Sequence, residues 1–303
     1  MLILKSDVVC AAPVADLPYI GPIEEVNAAM AYGLRKLRST YEGFAVRVRR
    51  SSDNAETDIG FAADRGLDVA ALLSFCGAGS GYVTTWYDQS GNNAHAARTN
   101  TAGQPMIVSA GVLVTLNGRP ALAFDGVAQG FTISSYAKAF AGAHRAQVFA
   151  ALSHDTAQSD VASLFNIYNI VGGTTYRGLC IGVGFNGTAK NLWQLISRRS
   201  NQSASTYAVA ASAHVSNATQ VLAADVIYDT GVMSLYQNAG LIAQNSALGT
   251  GVLTNQSGGT IGAGMLGTTS TELFKGFISE LIAVVNEDAM SIARDQLSYY
   301  FQE

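Results

Sequence analysis

Charged side chains are scarce in this chain. Its 303 residues include 18 basic and 22 acidic side chains, and the charged share of 13% compares with about 25% in ordinary soluble domains. Hydrophobic residues make up 49% and aromatic residues 9% of the chain, which is the opposite of an intrinsically disordered composition. A formal net charge of -4 disfavours a nucleic-acid-binding protein.

Cysteines and long apolar runs are also lacking. Cys10, Cys76 and Cys180 are far apart and odd in number, which excludes a disulfide framework and a cysteine metal motif. We therefore expect buried or free thiols and no metal cofactor. No apolar run approaches the roughly 20 residues of a membrane span, and Lys5 and Asp7 interrupt the opening apolar stretch. The sequence thus predicts neither a membrane span nor an export signal.

Proline is concentrated at the N terminus. Three of the five prolines, Pro13, Pro18 and Pro22, lie in residues 1–23, a segment with no helical or strand period. This pattern predicts an extended arm over residues 1–23, which either docks onto another subunit or is a frayed terminus. Residues 24–303 are then expected to form one domain.

Three segments have helical patterns. In residues 24–38, acidic residues stand at the start and basic residues at the end, as the helix dipole favours. The apolar stripe of this segment comprises Val26, Met30, Leu34 and Leu37. A short helix is predicted from Asp68, its N-cap, to Phe75. A last helix is predicted over residues 287–301.

Most of the remaining chain has the pattern of short strands. Segments of about five to ten residues are separated by Gly, Asn, Asp or Ser. Phe44, Val46 and Val48 alternate with arginines, and ten strand-like segments follow from Tyr82 onward: YVTTWY, MIVSAGVLVT, ALAFDG, QVFAALS, GLCIGVGF, NLWQLIS, QVLAADVIYD, GVMSLYQN, GTIGAG and GFISELIAVV. Residues 229–231 and 238–240 are predicted hairpin turns. This pattern predicts an all-β antiparallel sandwich or barrel.

Two segments are similar to known families. GLRKLRSTYEGFAVRVRRSSDNAETDIGF, GSGYVTTWYDQSGNNAHA and NGRPALAFDG, within about residues 32–126, resemble the start of the α-L-arabinofuranosidase B catalytic domain and a group of phage-encoded proteins that share this opening. The later VLAADVIYDTGVMSLYQNAG, GTIGAG and FKGFISELIAV resemble laminin-G-like and concanavalin A-like jelly rolls. Both resemblances imply a concanavalin A-like jelly-roll β-sandwich, with short peripheral helices and an extended N-terminal arm.

The resemblance to arabinofuranosidases raises the question of catalysis. A retaining glycosidase needs two carboxylates about 5–5.5 Å apart. The resemblance implies a glutamate nucleophile from the middle of the sandwich and an adjacent pair of cysteines in the substrate pocket. No glutamate lies between Glu56 and Glu272, and no two cysteines are adjacent. These absences favour a protein that is not an enzyme. An aspartate in place of the glutamate stays open for Asp155, Asp160, Asp225 and Asp229.

The motif WYDQSGNN contains the candidate binding residues. Asp88, Gln89, Asn92 and Asn93 carry oxygens and amides suited to hydrogen-bonding a sugar or, as a weaker hypothesis, to holding Ca²⁺. Alternatively, Asp88 and Ser90 satisfy backbone amides in a turn.

Other polar and aromatic residues favour structural roles. Trp86 and Trp193 lie in alternating strands and are expected in the core. Glu280 is a lone carboxylate in an apolar strand, which favours a buried, hydrogen-bonded role. The basic residues between 35 and 50 are expected to pair with nearby carboxylates.

Taken together, these patterns favour a bacteriophage virion structural protein with a lectin-like domain, in a tail fibre, a baseplate or a head decoration. Its expected location is the virion, after assembly in the host cytoplasm. The expected partners are other virion proteins through the arm, host surface carbohydrate, and further copies in a homo-oligomer. An α-L-arabinofuranosidase-like glycoside hydrolase is the alternative.

Overall fold

The structure is a computed structural model that describes residues 20–133, 137–158, 161–171, 174–199, 204–253, 258–264 and 271–301. The chain is all-β with short helices. The strands are β1 (Ala28–Gly33), β2 (Val46–Arg50), β3 (Glu56–Ile59), β4 (Gly81–Trp86), β5 (Ala96–Ala97), β6 (Met106–Ser109), β7 (Val112–Leu113), β8 (Thr115–Leu116), β9 (Arg119–Pro120), β10 (Leu122–Asp125), β11 (Phe131–Ile133), β12 (Arg145–His154), β13 (Ala162–Val171), β14 (Thr174–Val183), β15 (Trp193–Ser197), β16 (Thr206–Val209), β17 (Gln220–Ile227), β18 (Val232–Gln237), β19 (Gly240–Asn245), β20 (Gly258–Ile261) and β21 (Lys275–Val285). The helices are α1 (Val69–Cys76), α2 (Ala137–Phe140) and α3 (Ser291–Phe301).

The strands pair antiparallel in two connected layers. The front layer runs β3-β2-β4-β5-β11-β20-β13-β14-β15-β16. The back layer runs β1-β21-β12-β17-β18-β19. Strand β10 pairs with β21 and with β6, and β6 pairs with β4. The layers are thereby joined at one edge, so the sheet nearly closes on itself.

The main core lies between the two layers. Trp86 and Phe131 of the front layer belong to the same buried cluster as Val148 and Leu222 of the back layer. Trp86 is fully buried, with its ring centroid 5.6 Å from that of Tyr32. Helix α3 covers the other side of the back layer, where its apolar residues pack on β12, β17 and β21. The predicted core positions of both tryptophans are confirmed.

The helix predicted over residues 24–38 is wrong. This segment contains strand β1, which pairs with β21. All six residues of β1 are buried. Ala28 and Ala31 contact the cluster under α3, whereas Met30 and Tyr32 lie in the main core. A strand covered on both faces is apolar at every position, and such a run fits a helical stripe by coincidence.

Several local predictions are confirmed. The backbone N–H of Ala71 donates to Asp68 Oδ1 at 2.9 Å, so Asp68 is the N-cap of α1. Strands β17, β18 and β19 are joined at the two predicted hairpin turns. Helix α3 begins at Ser291, four residues after the predicted start. Strand β13, in the segment SLFNIYNIV, was missed because buried residues on both faces obscure the alternation.

The proposed arm falls almost entirely outside the described residues, which begin at Ile20. Ile23 is fully buried, and its backbone N–H donates to the carbonyl of Leu37. Ile23 therefore packs within the folded domain and not in an extended arm. The docking role of residues 1–19 stays a prediction.

Candidate functional site

One row of side chains crosses the front layer on the face opposite the core. Directly paired residues of neighbouring antiparallel strands point to the same side of a sheet. The outer row, as we call it, follows these pairings from β2 to β14 and comprises Arg47, Thr85, Ala97, Thr132, Thr260, Asn166 and Cys180. Their immediate neighbours along the strands, such as Trp86 and Phe165, point into the core. The outer row is thus a mostly polar strip across the sandwich.

A carboxylate lies over the β13–β14 end of this row. Glu272 precedes β21 and has a left-handed backbone, with a φ of 55°. The hydroxyl of Ser163 donates to Glu272 Oε2 at 2.8 Å, and Arg177 Nη2 forms an ion pair with Glu272 Oε1. Cys180 Sγ lies 3.6 Å from Ser163 Oγ. We call Ser163, Asn166, Arg177, Cys180 and Glu272 the Glu272 site.

Hydrogen bonds and a ring contact fix the side chains of the Glu272 site, and two of its described polar atoms have no hydrogen-bond partner. Asn166 is buried, and its amide nitrogen donates to the carbonyl of Gly264 at 2.6 Å. The guanidinium of Arg177 packs on the Phe185 ring, 4.7 Å from its centroid. Among the described residues, Asn166 Oδ1 and Arg177 Nε have no hydrogen-bond partner. Both atoms are buried, so they do not face solvent in this structure.

The thiol in this site is not an activated nucleophile. Cys180 is completely buried, and burial raises the pKa of its thiol to about 12. A thiol with so high a pKa stays protonated at neutral pH. Cys76 is also a buried free cysteine, as expected, while Cys10 lies outside the described residues.

The four candidate aspartates have other surroundings. Asp155 forms an ion pair with Lys275 Nζ at 2.9 Å, which lowers the pKa of that carboxyl group. Asp225 accepts two hydrogen bonds from the guanidinium of Arg145, at 2.8 and 2.7 Å. Asp229 contacts the exposed ring of His144. Asp160 lies outside the described residues.

The predicted structural roles are confirmed for Glu280 and Arg47, whereas Arg49 donates to the amide oxygens of Gln104 and Asn54 and not to a carboxylate of the described residues. Glu280 is fully buried and accepts hydrogen bonds from Arg35 at 2.7 and 3.1 Å. Arg47 pairs with Glu56 at 2.8 Å and with Asp58 at 3.0 Å.

The WYDQSGNN turn anchors β1 to the front layer. Asp88 and Gln89 are buried. Asp88 accepts hydrogen bonds from the backbone N–H groups of Ala31, Ser90 and Ala94 and from the Ser90 hydroxyl. Gln89 Oε1 accepts from the Leu37 N–H, and its amide donates to the carbonyls of Gly33 and Arg35.

The two asparagines of the turn differ from each other. The side-chain amide of Asn92 donates to the carbonyls of Ala28 and Ala29. Asn93 is exposed, with a φ of 56°. The hydrogen bonds that Asp88 accepts agree with the alternative in which the motif satisfies backbone amides in a turn. Sugar binding by Asp88, Gln89, Asn92 and Asn93 stays a prediction.

Removing the Asp88 carboxylate is expected to destabilise the protein. In Asp88→Ala, three buried backbone N–H groups lose their acceptor, and we expect a loss of about 2 kcal/mol in the free energy of unfolding. Urea unfolding measures this loss. Asn93→Gly in the same turn is the control and should change stability by less than about 0.5 kcal/mol. Equal stability of Asp88→Ala and the wild type would contradict the anchoring role.

No metal site emerges from the described part of the chain, in which no three His, Cys, Asp or Glu side chains are grouped as metal ligands. The calcium hypothesis for the turn is weakened because the Asp88 oxygens already accept N–H and O–H donors. In the same residues, no helix is long and apolar enough to cross a membrane.

The fold is shared with solved arabinofuranosidases. An arabinofuranosidase complexed with arabinofuranosyl-alpha-1,2-xylobiose superimposes with a TM-score of 0.62 at 16% identity, over 93% of this chain and 65% of that one. An α-L-arabinofuranosidase soaked with a cyclic sulfate inhibitor gives a TM-score of 0.60 over the same shares at 16% identity. The present chain thus spans slightly less than two thirds of these proteins.

Sequence comparison defines the family. The family described as Alpha-L-arabinofuranosidase B, catalytic, matches residues 25–181, just over half of the chain. A probable alpha-L-arabinofuranosidase B from Aspergillus flavus is 34% identical over 97 residues, which cover 29% of this chain and 19% of that protein. The chain belongs to the alpha-L-arabinofuranosidase B catalytic family.

This membership corrects the functional interpretation of the sequence. The assignments as a virion structural protein, as a protein without enzymatic function and as a component of the virion are wrong, since the matching family is one of glycoside hydrolase catalytic domains. The missing central glutamate favours a protein that is not an enzyme, but the family match over residues 25–181 overturns that expectation. Glu272 was seen only as one acidic residue among several, because no local pattern indicates that it folds back over β13 and β14.

Proposed function

We propose that this protein is a glycoside hydrolase that releases arabinofuranosyl groups and that the Glu272 site is its active centre. The family match over residues 25–181 carries the proposal. That range includes Ser163, Asn166 and Arg177, and all the strands of the outer row except β20. Glu272 then enters the same face from the segment before β21.

The chemistry of the Glu272 site fits one half of a glycosidase mechanism. Glycoside hydrolysis uses two carboxyl groups, one as nucleophile or base and one as acid. Glu272 accepts from Ser163 and Arg177, and two donors hold its carboxylate in one orientation. A positioned carboxylate that only accepts hydrogen bonds suits the role of nucleophile or base. The side chains of Glu272 and Arg177 are 19% and 30% exposed, so this pair is the part of the site that a sugar can reach.

Neutralising Glu272 tests the proposal. The wild type should release 4-nitrophenol from 4-nitrophenyl α-L-arabinofuranoside, and Glu272→Gln should lower kcat/KM at least about 100-fold, the usual range for losing a catalytic proton-transfer group. Glu42→Gln is the matched control, because Glu42 is exposed and forms a surface ion pair with Lys36. An unchanged rate in Glu272→Gln, or no release by the wild type, would contradict the proposal.

A comparison of two substrates searches for the second carboxyl group. Asp155→Asn, Asp160→Asn and Asp229→Asn are assayed with an arabinofuranoside that has an alcohol leaving group and with the 4-nitrophenyl compound. The variant that lacks the acid should lose activity on the first substrate and retain much more on the second, because 4-nitrophenolate leaves without protonation. Asp225→Asn serves as a structural reference, because it breaks a buried pair with Arg145.

We also propose that the sandwich is a concanavalin A-like jelly roll. Two antiparallel layers around one core, and a polar face on the front layer, support this topology. Assembly into a homo-oligomer stays a prediction from the sequence.

A further inference from the structure

We propose that the β2–β4–β5 end of the outer row binds the carboxylate of an acidic sugar, a uronic acid unit in the polysaccharide that the enzyme processes. This inference rests on the proposed function for the identity of the substrate, and on the geometry below for the acidic group.

A pocket of about 410 Å³ lies at this end of the row. Arg47, Glu56, Thr85, Arg98 and Gln104 are among the residues that line it. A second pocket of about 210 Å³ adjoins it, because both are lined by Ala97, Arg98 and Thr99. The second pocket extends to Thr132 of the outer row. The two together form a trough that runs across the strands.

The charges of this trough are not balanced. Arg47 is compensated by Glu56 and Asp58. Arg98, in contrast, has no carboxylate within ion-pair distance among the described residues. Its Nε is buried without a hydrogen-bond partner, and burial lowers the pKa of its guanidinium. A partly desolvated cation without a counter-charge is costly. An anionic ligand would relieve that cost.

A neighbouring arginine adds to the positive charge. Arg49 is also buried and has no ion pair in the described part of the chain. Its Nε donates to Gln104 Oε1 at 2.8 Å, and the Gln104 amide donates to the backbone carbonyl of Arg98 at 3.1 Å. Gln104 therefore links the two arginines in a rigid arrangement. A guanidinium can bind a carboxylate through two parallel N–H donors, which a neutral sugar hydroxyl cannot match.

The position of the trough relates it to the Glu272 site. Ala97 pairs with Thr132, Thr132 with Thr260, and Thr260 with Asn166. Three steps between strands of about 4.8 Å each place Asn166 about 14 Å from Ala97. Thr85, Thr99 and Thr132 line the trough itself with hydroxyl groups, as suits a ligand rich in hydroxyl groups. This polar lining favours an acidic sugar over a small free anion. Thr260, which lies between the trough and Asn166, is fully buried, so the trough is a separate site from the Glu272 site.

Calorimetric titration tests this inference without requiring catalysis. The probes are a xylo-oligosaccharide that carries one uronic acid unit and the same compound with its carboxyl group reduced to an alcohol. The wild type should bind the acidic compound at least tenfold more tightly, and added salt should weaken that preference. Arg98→Gln should abolish the preference and leave the weaker, neutral binding. Arg294→Gln on the exposed side of α3 is the charge-matched control and should retain it.

The outcomes separate this inference from the proposed function. Equal binding of both compounds by the wild type, or a preference that survives in Arg98→Gln, would overturn the acidic-sugar site. Thermal unfolding of Arg98→Gln establishes that the variant is folded. Arg98→Lys, which keeps the charge but not the two parallel donors, should recover only part of the preference. Failure of the wild type to release arabinose would remove the proposed function, while the measured preference for the acidic compound would still stand.

Discussion

Replacing Arg35 by methionine is expected to lower the free energy of unfolding by about 3–5 kcal/mol, the usual cost of leaving one partner of a buried ion pair alone. Glu280 is fully buried, and Arg35 Nε donates to it at 2.7 Å. Burial by itself lowers the pKa of Arg35, but the charge of Glu280 outweighs that effect and the net direction is upward. The substitution leaves a carboxylate in the core without its cation.

The remaining contacts of Glu280 cannot replace the guanidinium. The Gln296 amide donates to Glu280 Oε1 at 3.1 Å and the Tyr300 hydroxyl to Oε2 at 3.3 Å. Both donors are neutral, and both come from α3. The substitution should therefore also loosen α3 from the back layer, which hydrogen exchange of its amides detects.

Arg47→Met is the matched control for Arg35→Met. Arg47 also binds two carboxylates, but its side chain is 40% exposed. Exposed ion pairs contribute about 0–1 kcal/mol, so urea unfolding should show a small change. Similar losses in the two variants would contradict the role of burial. A stable double variant, Arg35→Met with Glu280→Leu, would show that the cost arises from the unpaired charge.

Acidification from pH 7 to pH 4.5 is expected to destabilise the protein through two buried histidines. His154 Nδ1 lies 2.9 Å from His214 Nε2, and both side chains are buried. Burial lowers the pKa of each ring to about 4, and at His154 the neighbouring His214 ring contributes to the same decrease. The Trp193 ring stacks on His214 at 4.9 Å, which keeps water away from the pair.

The direction follows from proton binding in the two states. The unfolded chain binds protons at these histidines near pH 6.5, while the folded chain resists them until about pH 4. The stabilisation is fully present above pH 6.5 and is lost as the pH falls from 6.5 towards 4. At about 1.36 kcal/mol for each pKa unit, each histidine accounts for about 2–3 kcal/mol at pH 4.5.

Urea unfolding at several pH values measures this dependence. His214→Gln should roughly halve the loss between pH 7 and pH 4.5. His144→Gln is the control, because His144 is 60% exposed and should leave the slope unchanged. An unchanged slope in His214→Gln would show that other groups cause the acid sensitivity.

Much of the local structure followed from the sequence. The N-cap at Asp68, the two hairpin turns and long strands such as β4, β12, β17 and β21 depend on neighbouring residues, and the predictions for them agree with the structure. The failures occurred where burial from two sides overrides the local pattern. Strand β1 is predicted as a helix because α3 covers one of its faces, and β13 is not predicted because the segment around Gly264 and Glu272 contacts its outer side chains.

The sequence by itself determined the all-β class and the resemblance to arabinofuranosidases in residues 32–126, since alternation, turn residues and motifs are local properties of the chain. Only the tertiary structure decided which carboxylate reaches the outer face. Glu272 lies 109 residues after Ser163 in the sequence, yet the two side chains are joined by a hydrogen bond of 2.8 Å. Contacts of this kind arise from strand pairing across the whole sheet, and no local pattern encodes them.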